Sequence, residues 1–174
     1  MMRYRVGRVE CGLTLIECLF TLVLVTSLLV LAVPSYRDQL SSARSLSAAS
    51  QLLAAVQFAR SAALSRRATV LLCPQAIASS ALMDCSGHFG QTISAVLASS
   101  SGEEVMRVWS PMPAVTVLNR QGTQRVTGPI RWHPNGLGSR NLTLSVCAGG
   151  QNWSVVVNRL GRPRLVKDWG HCPD

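Results

Sequence analysis

Residues 158–167 read NRLGRPRLVK, and every ionisable side chain in this stretch is cationic: Arg159, Arg162, Arg164 and Lys167. A guanidinium stays charged at any physiological pH and grips a phosphate through two parallel N–H bonds. Gly161 permits backbone conformations that other residues avoid. Pro163 fixes its own φ and favours an extended Arg162. In extended chain Arg162 and Arg164 share a face about 6.5 Å apart, close to the separation of neighbouring phosphates along a nucleic acid strand. The charge is regional as well as local. From Arg107 onward nine basic residues (Arg107, Arg120, Arg125, Arg131, Arg140, Arg159, Arg162, Arg164, Lys167) face two acidic ones, in a chain of net charge +9. Such a balance fits nucleic acid, an anionic membrane surface or an acidic partner. The plain alternative is a turn between two strands with solvated arginines.

No other constellation assembles. The 174 residues contain no G-x-S-x-G elbow, P-loop, H-E-x-x-H pair or paired carboxylates. His171 beside Asp168 reads as a solvated tail rather than a catalytic pair, so no enzyme and no cofactor are implied. Of the six cysteines, Cys11 and Cys18 lie in the N-terminal region. Cys73, Cys85, Cys147 and Cys172 remain, and in an oxidising compartment they form two disulfides in one of three connectivities. Cys73–Cys85 with Cys147–Cys172 is favoured because both close local loops. A zinc site from Cys73, Cys85, His88 and His171 matches no standard spacing, and no metal is expected.

Positioning begins with the N-terminus. A polar leader carrying Arg3, Arg5 and Arg8 precedes LTLIECLFTLVLVTSLLVLAV, residues 13–33, whose single charge is Glu17. A helix of this length spans a bilayer core. The basic leader places the N-terminus in the cytoplasm and the remainder outside. A secretory signal peptide is the rival, but VLAVPS is a poor cleavage site. Glu17, an ionisable group in an apolar helix, is a functional candidate by its cost alone. Beyond Pro34, Leu46, Ala49, Leu53, Val56, Ala59 and Ala63 recur at steps of three and four. One long helix over residues 14–66 is expected, its second half packing on a sheet.

From Ala68 the pattern becomes β. ATVLLC, QTISAVLA, EVMRVWS, AVTVLN, PIRWHP, NLTLSVC and NWSVVVN are short runs of strand formers separated by Gly, Pro, Ser or Asn. PQAIASSALMDCSGHFG reads as an ordered loop, SSSGEE (99–104) as a turn and NGLG (135–138) as a hairpin turn. The expected class is α+β: a long N-terminal helix, membrane half plus amphipathic half, packed on an antiparallel β-sheet.

These residues carry a resemblance. Gly12, Leu13 and Glu17 in G-LTLIE, followed by Pro34, resemble the processing site and helix of type IV prepilins and pseudopilins, with Leu13 where the family usually has phenylalanine. The cysteine-bearing strands and SVVVNRLGRPR resemble the GspH/FimT branch of minor pseudopilins. The resemblance implies a leader (residues 1–12) cut after Gly12 by prepilin peptidase and a transmembrane assembly helix (13–36). A periplasmic pilin-like domain (37–174) follows. It implies that Glu17 neutralises the terminal amine of a neighbouring subunit, and that the partners are other major and minor pilins and the inner membrane. In FimT-type members a GRxR motif is implicated in binding double-stranded DNA during natural transformation. Gly161, Arg162 and Arg164 occupy it here, with Arg159, Lys167 and Arg140 as secondary contacts. GspH-type members share the fold without that role, so a purely structural pilin or type II secretion pseudopilin is the alternative.

Processing is directly checkable. Intact mass and N-terminal sequencing of chain expressed with a prepilin peptidase should show a start at Leu13, and Gly12→Val should retain the leader. A start near Ser35 would identify a cleaved signal peptide instead.

Overall fold

The computed structural model describes residues 14–74, 85–99 and 102–173. The expected leader, its Gly12–Leu13 junction and residues 75–84 of the expected loop lie outside them. The chain divides into two units, residues 1–37 and 38–174. Helix α1 (Leu15–Arg66) contributes to both.

In the first unit the apolar run is helical as expected. It is long and apolar enough to cross a membrane, with a mean hydropathy of 2.5 over its best window and none of that window buried. Thr14 caps the helix, its hydroxyl accepting the Glu17 N–H at 3.3 Å. Thr14 and Glu17 hold the N-cap and N3 positions of a capping box, so the carboxylate also sits at the favourable end of the helix dipole. Thr21, Thr26 and Ser27 donate their hydroxyls back to carbonyls three or four residues earlier. No hydroxyl among them is thus left bare on an apolar helix. The helix continues through Pro34, although proline supplies no N–H to the ladder.

The second unit is built on the other half of α1. Its buried residues are Ser45, Ala48, Ala49, Leu52, Ala55, Val56, Ala59, Ala62 and Ala63. The expected stripe is corrected at its start: Leu46 is 39% exposed and Leu53 only partly buried, whereas Leu52 is fully buried. The reason is complementary size. The helix presents mostly alanine, and the sheets supply Trp132, Phe89, Leu72, Ile93, Leu144 and Val155 to one shared core. Ser45 fixes the rotation of the helix. Its buried hydroxyl donates to the Val146 carbonyl at 2.6 Å and accepts the Trp153 N–H at 3.1 Å, across a register pair of neighbouring strands.

The strands are β1 (Thr69–Pro74), β2 (Ile93–Ser99), β3 (Gly102–Trp109), β4 (Thr116–Leu118), β5 (Ile130–Trp132), β6 (Leu142–Ala148), β7 (Gln151–Val157) and β8 (Pro163–Lys167). All pairing is antiparallel. The expected single sheet is, however, two: β3-β2-β1-β5 and β4-β6-β7-β8. The chain crosses to the second sheet for β4, through a segment containing Pro111 and Pro113, and returns for β5. Two local expectations shift with it. Gly102–Glu104 belong to β3 rather than to a turn, and Pro163 and Arg164 already belong to β8. Disulfides join Cys73 to Cys85 and Cys147 to Cys172, with Cα–Cα distances of 5.0 and 5.6 Å. Cys73 and Cys85 are therefore not thiolate ligands.

The corrected stripe predicts a contrast. Leu52→Ala should lower stability by about 2–5 kcal/mol in urea unfolding of the full chain, and Leu46→Ala by no more than about 0.5 kcal/mol. Equal losses would contradict the helix rotation described here.

Candidate nucleic-acid interface

The β7–β8 turn is not a free loop. Asn158 organises it from within: its carbonyl accepts the Gly161 N–H at 2.8 Å and its Oδ1 accepts the Arg162 N–H at 3.0 Å. Arg159 ties it outward. The Arg159 carbonyl accepts the Gly138 N–H at 3.0 Å, and the Arg159 N–H donates to Asn141 Oδ1 at 2.8 Å. Residues 133–139 are themselves folded back on β5 through Trp132–Gly138 pairing and a Ser139 N–H to Arg131 carbonyl bond. NGLG is therefore a turn, as expected, and it docks against the GRPR segment.

Gly161 is buried at that contact with φ 71°. A Cβ there would run into the Gly136 carbonyl oxygen and come within 3.2 Å of Arg60 Nε. Glycine is thus required both for the left-handed backbone and for the close approach. Arg60, on α1, donates its Nε to the same Gly136 carbonyl at 3.4 Å. Its cationic head consequently lies at the base of the turn. Arg140 belongs to the same locality: its carbonyl and Gly161 Cα both lie 3.8 Å from the Cβ position of Gly138.

Strand alternation sorts the remaining candidates. Val157, Val155 and Trp153 belong to the core and face α1. Their register partners Pro163, Leu165 and Lys167 share that face. Arg164 pairs with Val156, so it projects from the opposite, outer face. Arg162 and Arg164 are both exposed. Lys167, although exposed, springs from the other side of β8 and does not join Arg164. Among the described residues no carboxylate forms an ion pair with any of these cations.

The outer face is crossed by the chain end. Cys172 is bonded to Cys147 on β6, Asn152 Nδ2 donates to the Gly170 carbonyl at 2.6 Å, and the His171 N–H donates to the Arg120 carbonyl at 3.0 Å. A Cβ at Gly170 would collide with the Ser145 hydroxyl, so only glycine passes over the small residues Ser145 and Ser154. This crossing lays Trp169, 40% exposed, against two guanidiniums: Arg120 Cζ is 4.6 Å from the indole centroid and Arg164 Cζ 5.9 Å. Sequence reasoning named neither Arg120 nor Trp169 nor Arg60 as a site residue. No local spacing links positions 60, 120 and 169 to the motif; the link is made by sheet register and a disulfide. A cavity of about 740 Å³ along β4, lined by Thr116, Arg125, Cys147 and Gly149 among others, contains none of the candidate cations of the turn.

Comparison with known proteins is consistent with this architecture. Among curated proteins none matches. The solved structure of the type IV minor pilin FimU of Pseudomonas aeruginosa matches with 25% identity and a TM-score of 0.53, over 70% of this chain and 87% of FimU. The minor pseudopilin EpsH of the Vibrio cholerae type 2 secretion system matches with 11% identity and a TM-score of 0.52, over 71% of this chain and 97% of EpsH. The latter likeness concerns fold alone. The family described as type II transport protein GspH matches residues 48–161, ending at the glycine of the motif and leaving the arginines after it outside the matched segment. With that match spanning most of the chain, on a fold shared with a minor pilin and a minor pseudopilin, the protein belongs to the GspH family.

Proposed function

We propose that this chain is a minor pilin that binds double-stranded DNA through the β7–β8 turn and so serves DNA uptake in natural transformation. The observation that carries the reading is the turn itself. Arg159, Arg162 and Arg164 are exposed on a backbone pinned by Asn158, Asn141 and the Gly161–Gly136 contact, with no described carboxylate paired to them. A rigid cationic turn loses little conformational entropy on meeting a polyanion. Arg140 and Arg60 add charge at its base. Lys167 contributes at most from the far side of β8, so Arg162 and Arg164 are the primary contacts.

The rest of the reading follows the family. The leader is removed after Gly12 by prepilin peptidase, and α1 anchors the chain in the inner membrane with residues 37–174 in the periplasm. Glu17 offers its carboxylate to the terminal amine of a neighbouring major or minor pilin, since a charge in an apolar environment needs a partner. Assembly then carries the turn to the cell surface. The second reading, a structural subunit of a pilus or secretion pseudopilus, is favoured by the family match, which covers the scaffold but stops at Gly161.

Phosphate contacts carry no base information, so binding should be independent of sequence and steeply dependent on salt. For full-length chain in uncharged detergent and a mixed-sequence duplex, the plot of log affinity against log salt should have a slope of roughly −3 to −5. Arg162→Gln/Arg164→Gln should flatten it by about 2 with an unchanged circular dichroism spectrum. A slope near zero, or equal binding by the variant, would move the assignment to the structural subunit.

A further inference from the structure

The outer face of the second sheet continues the turn. Arg164 stands in a cross-strand row with Val156 and Thr143. Thr143 and Val156 of this row line a groove of about 350 Å³ together with Asn119, Arg120, Asn141 and Asn158, while Arg164 is not part of its lining. Asn141 and Asn158 are the residues that pin Arg159 and Arg162. The groove therefore leads from the base of the GRPR turn to Arg120. Arg120, which lines the groove, and Arg164 converge on Trp169, and their guanidinium carbons are no more than about 10.5 Å apart. Two like charges held this close, with no described carboxylate between them, are stabilised by the face of one indole. An anionic ligand would stabilise them further.

We propose that Arg120 is a further DNA contact and Trp169 a positioning residue, so that one strand's sugar–phosphate backbone runs from the turn along this groove. The proposal rests on the DNA reading above. Both ends of the Arg120 support are fixed. Its carbonyl accepts the His171 N–H, and Asn119 Oδ1 accepts the Thr123 N–H at 3.0 Å within the same loop. The Cys147–Cys172 bridge holds the Trp169 segment down. The two guanidiniums, no more than about 10.5 Å apart, can therefore meet phosphates one or two nucleotides apart on one strand. The exposed part of Trp169 would then border bound DNA.

The test uses full-length chain in uncharged detergent with a mixed-sequence duplex and the salt titration. Arg120→Gln should weaken binding about tenfold, the equivalent of one charge-assisted contact, and flatten the salt slope by about 1. Arg120→Lys should restore the slope. Trp169→Leu should weaken binding with both arginines present, and Trp169→Phe should recover part of the loss. A second measurement needs no charge variant: acrylamide quenching of the fluorescence that Trp169→Phe removes should fall when DNA binds. If wild type binds and Arg162→Gln/Arg164→Gln does not, while Arg120→Gln keeps wild-type affinity and slope and quenching is unchanged, this proposal is overturned and the DNA reading stands. If wild type fails to bind, both fall together.

Discussion

Both sheets of the second unit depend on one helix face. The buried side of α1 is nearly all alanine, with Leu52 and Val56 as its larger members. A face this smooth supplies little shape of its own, and the large side chains of two separate sheets fill the space against it. What sets the helix rotation is polar. The Ser45 hydroxyl is buried and satisfied twice, by Val146 and Trp153 on adjacent strands. A buried hydroxyl without partners costs more than a typical hydrogen bond contributes. Turning the helix by one residue would strand that hydroxyl and both backbone groups. The rotation is therefore fixed at the same strand pair that the cationic turn joins to β8.

From there the constraint reaches the turn through a seam of backbone contacts braced by a few side chains. The first sheet ends in β5, whose following loop folds back on it and donates the Gly138 N–H to the Arg159 carbonyl on the second sheet. Gly161 closes this seam by lying against the Gly136 carbonyl, where no side chain fits. Arg60 reaches the same carbonyl from the helix. Helix, first sheet and second sheet thus meet at one point, and the cationic turn sits on it. The cations themselves contribute nothing attractive to one another. Their proximity is imposed by packing, which is the arrangement expected where charge is kept for a ligand rather than for stability.

The sequence made the local features legible and left the long-range ones hidden. The apolar run, the two disulfides, the turn at residues 135–138 and the GRPR turn all rest on signals within a few tens of residues. The division into two sheets does not, because strand pairing between β4 and β6, or β1 and β5, has no local signature. The helix stripe was misplaced at Leu46 for a related reason. Hydrophobicity favoured leucine over Ser45, and a serine that is buried because two backbone groups require it cannot be told from a surface serine by pattern alone. The same limit hid Arg120 and Trp169. Each is an unremarkable residue until the Cys147–Cys172 bridge and the glycine at position 170 draw the chain end across β6 and β7.

Charge on β8 has two separable origins. β8 is the edge of its sheet, and an exposed edge invites pairing with another chain. Proline and lysine on an edge strand blunt that hazard, and Pro163 and Lys167 fit this role. Lys167 stands on the α1-facing side, away from Arg164. Edge protection does not account for Arg159 and Arg162, which lie in the turn before the strand begins, nor for an Arg164 held against an indole on the outer face. Protection of an edge requires only that charge be present there. A phosphate contact requires charge at a fixed place. Arg159 and Arg162 are pinned within the turn and Arg164 lies against Trp169, whereas Lys167, paired with Trp153 in the ladder, leaves β8 on the opposite face. Under the DNA reading proposed above, the phosphate contacts fall to the arginines.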